Sequence, residues 1–196
     1  FYSALEDINT YLVRSKDNKD LFETYVQRAV IFYNLNLFND ALKDLNLAIE
    51  LNPTIGIAYL HRANISRVFE NYNESLRDLN LAIEFGENNR DIYFLRGSIN
   101  LETKKYLEAY NDLNNFLERT PDQHKDKTDA LLGRAKASFF MGDFKQSKKD
   151  LNKIIRIDPE LWEAYRYRGE ILKSEGQNNS ALSDLVKAQN SGDFSP

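Results

Sequence analysis

Residues Tyr25–Pro53, YVQRAVIFYNLNLFNDALKDLNLAIELNP, hold the pattern on which the chain is organised. Two helix-length stretches, near 22–35 and 39–52, flank a short break and end at Pro53. The pattern recurs. Tyr25, Tyr59 and Tyr93 lie 34 residues apart. Arg28, Arg62, Arg96, Arg134 and Arg168 follow at steps of 34, 34, 38 and 34, and Asp44, Asp78, Asp112, Asp150 and Asp184 keep the same steps. A fixed period in this range signals a stacked repeat.

Extending the period predicts five helix pairs. First helices fall near 22–35, 56–69, 90–103, 128–141 and 162–175. Second helices fall near 39–52, 73–85, 107–118, 145–157 and 179–190. Residues 1–13 align on Asp7 with the second helix of a repeat whose first helix is absent. Ser15–Asp20 reads as a polar connector, and Pro121–Thr128 carries a four-residue insertion. The divisions are therefore 1–14, 22–55, 56–89, 90–127 with the insertion, 128–161, and 162–196 with a tail. Pro53, Pro121 and Pro159 stop three second helices, because proline lacks the N–H and its ring clashes with the preceding turn. Gly86 ends another.

The spacing within a pair explains why it folds. Ala29, Ala63, Gly97, Ala135 and Gly169 are small residues in mid first helix, and Ala41, Ser75, Ala109, Ser147 and Ala181 are small residues early in the second. They allow close antiparallel approach, while Leu45, Leu79, Leu113, Leu151 and Leu185 supply bulk on the facing stripe. One pair cannot bury its apolar face alone, so stability comes from stacking.

Composition narrows the function. Charged residues make up 29% and apolar ones 42%, which suits a helical globular protein. The net charge of −4 offers no basic excess for phosphates and argues against nucleic acid as a partner. The chain has no Cys, which removes disulfides, thiolate zinc sites and a cysteine nucleophile, and fits a reducing, cytoplasmic setting. No apolar run approaches the roughly 18 residues of a membrane span. Phosphate loops and nucleophile elbows are missing, and His61 and His124 are isolated, so no cofactor, metal or catalytic residue is expected. The recurrent Arg and Asp read as ion pairs clamping each helix pair, since a catalytic constellation does not recur at the repeat period. Asn46, Asn80, Asn114 and Asn152 read as loop caps or bridges.

With Tyr25, Ala29, Phe32, Phe38, Ala41, Leu45, Ala48 and Pro53 in place, and their counterparts in the later repeats, the chain resembles the tetratricopeptide repeat family over essentially its whole length. Glu87 and Asp193 stand where the pattern has Pro, and Phe116 where it has Ala. The resemblance implies an all-α, right-handed α-solenoid of antiparallel helix pairs, with first helices lining a concave groove. It also implies a protein–protein interaction scaffold. By position the groove would be lined by Val26, Val30, Tyr33, Leu60, Asn64, Phe94, Leu101, Leu132, Phe139 and Phe140, a largely apolar set suited to a peptide or amphipathic helix.

Family members that bind chaperone tails hold a terminal carboxylate with Lys, Asn and Arg on three first helices. Here those sites are Val26, Val30, His61, Asp91 and Leu95 from the first pair, or Leu60, Asn64, Leu95, Asp129 and Gly133 from the second. From the third they are Phe94, Ser98, Gly133, Glu163 and Tyr167. No register supplies the cations, which argues against Hsp70 or Hsp90 tails. The expected function is a non-catalytic adaptor. The alternatives are an architectural subunit of a large assembly or a regulatory region of a longer enzyme. The unpaired 1–13 segment (with Ala4, Ile8 and Tyr11) and the apolar Leu182, Leu185 and Val186 lead us to expect that the array continues beyond both ends.

Overall fold

In the computed structural model, the structure describes residues 2–14, 18–121 and 123–192. Of the positions singled out above, Ser15, the Ala4 side chain and Asp193 lie outside the described residues, as does residue 122 within the insertion loop. Among the described residues there are eleven helices and no strand. They are α1 Tyr2–Arg14, α2 Asn18–Asn34, α3 Phe38–Leu51, α4 Gly56–Val68, α5 Tyr72–Glu84, α6 Arg90–Glu102, α7 Tyr106–Glu118, α8 Lys127–Phe140, α9 Phe144–Ile157, α10 Trp162–Ser174 and α11 Asn178–Gly192. The expected connector at 15–20 is shorter than its polarity suggested. Helix α2 already begins at Asn18, with Asp20 in its first turn, where the positive end of the helix favours a carboxylate.

The chain divides into two compact units, residues 1–92 and 93–196. In the first, α2 pairs with α3 and α4 with α5, while α1 packs on α2 and α3 on α4. Its core joins Phe22, Val26 and Ala29 to Ala41, Leu45, Ala48, Ala58 and Ile65. In the second, α8 pairs with α9 and α10 with α11, and α7 packs on α8. Leu113, Phe116, Leu131, Leu151, Ile154 and Ile171 fill its core.

Close approach is visible at the small residues. A Cβ added to Gly97 would lie 2.8 Å from Leu113 Cγ, and one added to Gly169 would lie 2.8 Å from Leu185 Cγ. Leu185, expected to lack a covering neighbour, is thus packed inside its own pair, whereas Leu182 and Val186 are 64% and 46% exposed. Where the second helix carries Ser instead of Ala, the buried hydroxyl is satisfied across the pair. Ser75 Oγ donates to the Ala63 carbonyl at 2.8 Å, and Ser147 Oγ to the Ala135 carbonyl at 2.9 Å.

Helix ends follow local chemistry. Asn52 and Asp158, each before a proline, are extended, and their side chains accept from the backbone N–H of Thr54 and Glu160. Every first helix closes the same way. A residue in the left-handed region follows it, and the next N–H donates back to the carbonyl five residues earlier, as Leu37 does to Phe32 at 2.8 Å and Asp143 to Ser138 at 2.9 Å. Glycine occupies that left-handed position at 142 and 176, but Asn36, Glu70 and Lys104 occupy it elsewhere.

Candidate functional site

The recurrent Arg and Asp meet in all five pairs. The Arg28 guanidinium donates through Nε and Nη2 to the two oxygens of Asp44 at 2.7 and 2.6 Å. Arg62 meets Asp78 at 2.8 and 2.9 Å, Arg96 meets Asp112 at 2.9 and 2.7 Å, and Arg134 meets Asp150 at 2.8 Å twice. Arg168 meets Asp184 at 2.7 and 2.8 Å. The geometry is fork on fork, and all five carboxylates are buried. For Arg28, Arg62 and Arg168 the bond to the aspartate is the strongest influence and holds the guanidinium pKa above its ordinary value. At Arg134 burial is the larger influence and opposes ionisation, yet Asp150 still leaves the pKa raised.

Asn46, Asn114 and Asn152 are not loop caps. Two positions after Asp44, Asp112 and Asp150, each accepts from the Arg of a following pair. Arg62 Nη1 donates to Asn46 Oδ1 at 2.8 Å, Arg134 Nη1 to Asn114 at 2.6 Å and Arg168 Nη1 to Asn152 at 2.7 Å. Arg28 Nη1 makes the same bond to Asn9 at 2.7 Å, so α1 is joined to α2 as any second helix is joined to the following first helix. Each of these four arginines therefore ties its own pair with two bonds and reaches back to the preceding helix with a third. The recurrence of Asn was visible in the sequence. Its role was not, because a short amide suits a helix cap equally well.

The residues expected to line the groove divide four ways. Val26 and Leu132 are 8% and 7% exposed and belong to the cores, so they correct the expectation of an open stripe. Both belong to the buried cluster of their own unit, where neighbouring apolar side chains close over them. Phe94 and Phe139 are half-buried and packed against other rings. Phe94 lies 4.9 Å from Phe116, and Phe139 lies 5.3, 5.8 and 5.2 Å from Phe140, Phe144 and Tyr167. Leu60 and Leu101 are half-buried. Phe140 is 51% exposed and stacks on Tyr106 at 4.8 Å.

The remaining three, Val30, Tyr33 and Asn64, converge with His61 on one cavity of about 270 Å³ between α2 and α4. Ala29, Asn34, Leu45 and Ile65 complete its wall. Tyr33 is held edge-on against Phe38 at 5.5 Å, and Asn64 Nδ2 donates to the Leu60 carbonyl at 3.0 Å. Burial lowers the pKa of His61, so the imidazole is neutral at neutral pH. Ala29, Val30, Leu45 and Ile65 make part of the wall apolar, and Tyr33, Asn34, His61 and Asn64 add polar groups, which suits one apolar side chain oriented by a polar contact. No group of three or more metal-ligating side chains converges among the described residues, and no helix among them is long and apolar enough to cross a membrane.

Paired helices with small residues at their contacts, repeated at a fixed period, define an α-solenoid of the kind that serves as a protein-binding scaffold. The tetratricopeptide repeat family model matches residues 22–55 and 128–161, so two of the five helix pairs are tetratricopeptide repeats. No curated protein sequence matches it. Among solved structures, YrrB, a TPR protein with an unusual peptide-binding site, is 20% identical, with a TM-score of 0.86 over 97% of this chain and 94% of that one. MamA from Desulfovibrio magneticus RS-1 is 13% identical, with a TM-score of 0.74 over 88% and 96%. A tetratricopeptide repeat protein from Parabacteroides merdae ATCC 43184 is 19% identical, with a TM-score of 0.68 over 97% and 73%. At these identities the likeness establishes the fold.

Proposed function

We propose that the chain is a non-catalytic adaptor that binds a peptide or amphipathic helix of a partner protein, with an apolar anchor side chain seated in the cavity between α2 and α4. The cavity carries this reading. A volume of about 270 Å³ has room for one large side chain, and Val30, Tyr33, His61 and Asn64 meet there. The YrrB protein, described as having an unusual peptide-binding site, shares the fold and supports the same class of function. The Arg–Asp pairs act as clamps of the helix pairs and not as active sites, because one bidentate geometry recurs in all five. Phe140, exposed next to Met141 and stacked on Tyr106, favours a second reading in which the turn edge docks into a larger assembly.

The test is a peptide-display selection on the purified chain, followed by competition with a plugged Val30→Trp variant. Selected peptides should share one large apolar residue. Plugging should weaken them by the roughly 2 kcal/mol of a hot spot, about thirtyfold. Selected peptides that bind the plugged variant equally well would move the site elsewhere.

A further inference from the structure

Two departures from the repeat meet at one place in the second unit. The first is the four-residue insertion before α8. It ends at Lys127, which is 7% exposed and donates to the Thr120 carbonyl at 2.9 Å. The second lies on α9. At the positions of Lys149, Lys153 and Arg156, α3 carries Lys43, Leu47 and Glu50, α5 carries Arg77, Leu81 and Glu84, and α7 carries Asn111, Asn115 and Glu118. The last of the three is acidic in each of those helices, whereas α9 places a cation at all three. In total α9 holds Lys145, Lys148, Lys149, Lys153 and Arg156 against the single acid Asp150, in a chain of net charge −4.

These departures face one groove of about 420 Å³ between the end of α7, the start of α8 and the outer face of α9. Leu117 and Leu131, 9% and 2% exposed, line it with apolar surface. Lys149, Lys153 and Arg156 are exposed along the α9 side, on one stripe of the helix. The groove's two carboxylates are Glu118, which accepts from Asn114 at 2.7 Å, and Asp150, which is bound bidentately to Arg134. Cations on an exposed helix are most often a solvated face. A solvated face, however, has no reason to coincide with an insertion, a buried lysine and an apolar floor.

We propose that this groove binds an acidic segment of a partner protein, with carboxylates set against Lys149, Lys153 and Arg156 and an apolar side chain over Leu117 and Leu131. From Lys149 to Arg156 the stripe covers about 10 Å of helix, the reach of roughly three extended residues. That footprint suits a short peptide. A nucleic acid draws its affinity from many phosphate contacts along a longer track, and the acidic remainder of the chain repels it.

The experiment measures fluorescence anisotropy of a labelled peptide of three Glu-Glu-Leu repeats, beside a Ser-Ser-Leu control, on the whole chain. The acidic peptide should bind at least about tenfold more tightly than the control, and the advantage should shrink as salt rises. The exposed triple variant Lys149→Glu, Lys153→Glu, Arg156→Glu should lose it. A milder Lys149→Gln, Arg156→Gln variant, which keeps helix propensity, should weaken it about tenfold with circular dichroism unchanged. Equal affinity for the two peptides, or unchanged affinity in the glutamine variant, would overturn the proposal. So would tighter binding of a single-stranded RNA or of phosphatidylserine vesicles than of the acidic peptide. Dimerisation that the triple variant abolishes would assign the groove to a second copy of this chain and overturn it too.

Discussion

The two compact units share one register and diverge where successive first helices meet. Between α2 and α4, Val30, Tyr33, His61 and Asn64 leave a cavity of about 270 Å³. One array position at a time, their counterparts on α8 and α10 are Lys136, Phe139, Tyr167 and Glu170. There Tyr167 is 6% exposed, sits edge-on to Phe139 at 5.2 Å, and has the Arg166 guanidinium 4.7 Å from its ring centroid. Lys136 bonds Glu163 at 2.7 Å beside it. The same bidentate Arg–Asp geometry recurs in both units, and what differs between the two places is the side chains at these four positions, with Tyr167 buried where His61 lines a cavity. A repeat array can thus vary its binding surface pair by pair without changing the frame.

The frame is the place to break first. Asp150→Ala would leave the Arg134 side chain, 13% exposed, without its carboxylate, and Asp44→Ala would do the same to Arg28, 20% exposed. Stripping one partner from a buried pair costs about 3–5 kcal/mol. Chemical denaturation should show comparable losses for the two variants, one in each unit. A loss below about 1 kcal/mol in either would mean that the bidentate geometry contributes little there.

The plug comes next. Tyr167→Ala should open a void beneath Phe139 and cost about 3 kcal/mol, while His61→Tyr should narrow the natural cavity for less than about 1.5 kcal/mol either way. Calorimetry of both variants, with peptide binding measured on the second, separates packing from recognition. If His61→Tyr left the affinity of an anchored peptide intact, the cavity would not be its seat.

What was legible in the sequence follows the same division. Arg and Asp sixteen residues apart, repeated five times, disclose a contact because both groups are charged and the interval recurs. Most helix ends were readable to within a few residues from proline, glycine and the period. The groove was not, since apolar residues such as Leu132 and Phe139 look alike whether they face a partner or one another. Whether a hole remains between two helices depends on volumes summed across neighbours that are distant in sequence. The left-handed turn residues were equally hidden, because Glu70 and Lys104 advertise no turn.

Those turns supply a smaller contrast between the units. The first has Asn36 and Glu70 at the left-handed position, and the second has Lys104 followed by Gly142 and Gly176. A Cβ at Gly142 or Gly176 would meet nothing within 4 Å, so backbone conformation alone sets the preference. A non-glycine residue there costs about 1–2 kcal/mol. Glu70→Gly and Lys104→Gly should each raise stability by about 1 kcal/mol, and Gly142→Ala should lower it by a similar amount. Equilibrium unfolding of the three variants reads the sign. A destabilised Lys104→Gly would show that its side chain makes a compensating contact.

The gentlest probe is pH, and it tests whether the cavity wall is dry. Burial pushes the His61 pKa below its ordinary 6.5, so the unfolded chain binds the proton more readily than the folded one. Stability rises with pH wherever the unfolded state holds more protons. The contribution of neutral His61 is therefore complete above about pH 6.5 and lost as pH falls from there toward the folded value. The chain has one other histidine, His124, which is common to wild type and His61→Tyr and cancels between them. Over this window the wild type should lose stability more steeply than the variant on acidification, by no more than about 1.4 kcal/mol per pH unit. An apolar peptide seated against His61 would deepen the burial and steepen the difference. Parallel pH profiles would mean that water reaches the imidazole and that the hole between α2 and α4 is already wet.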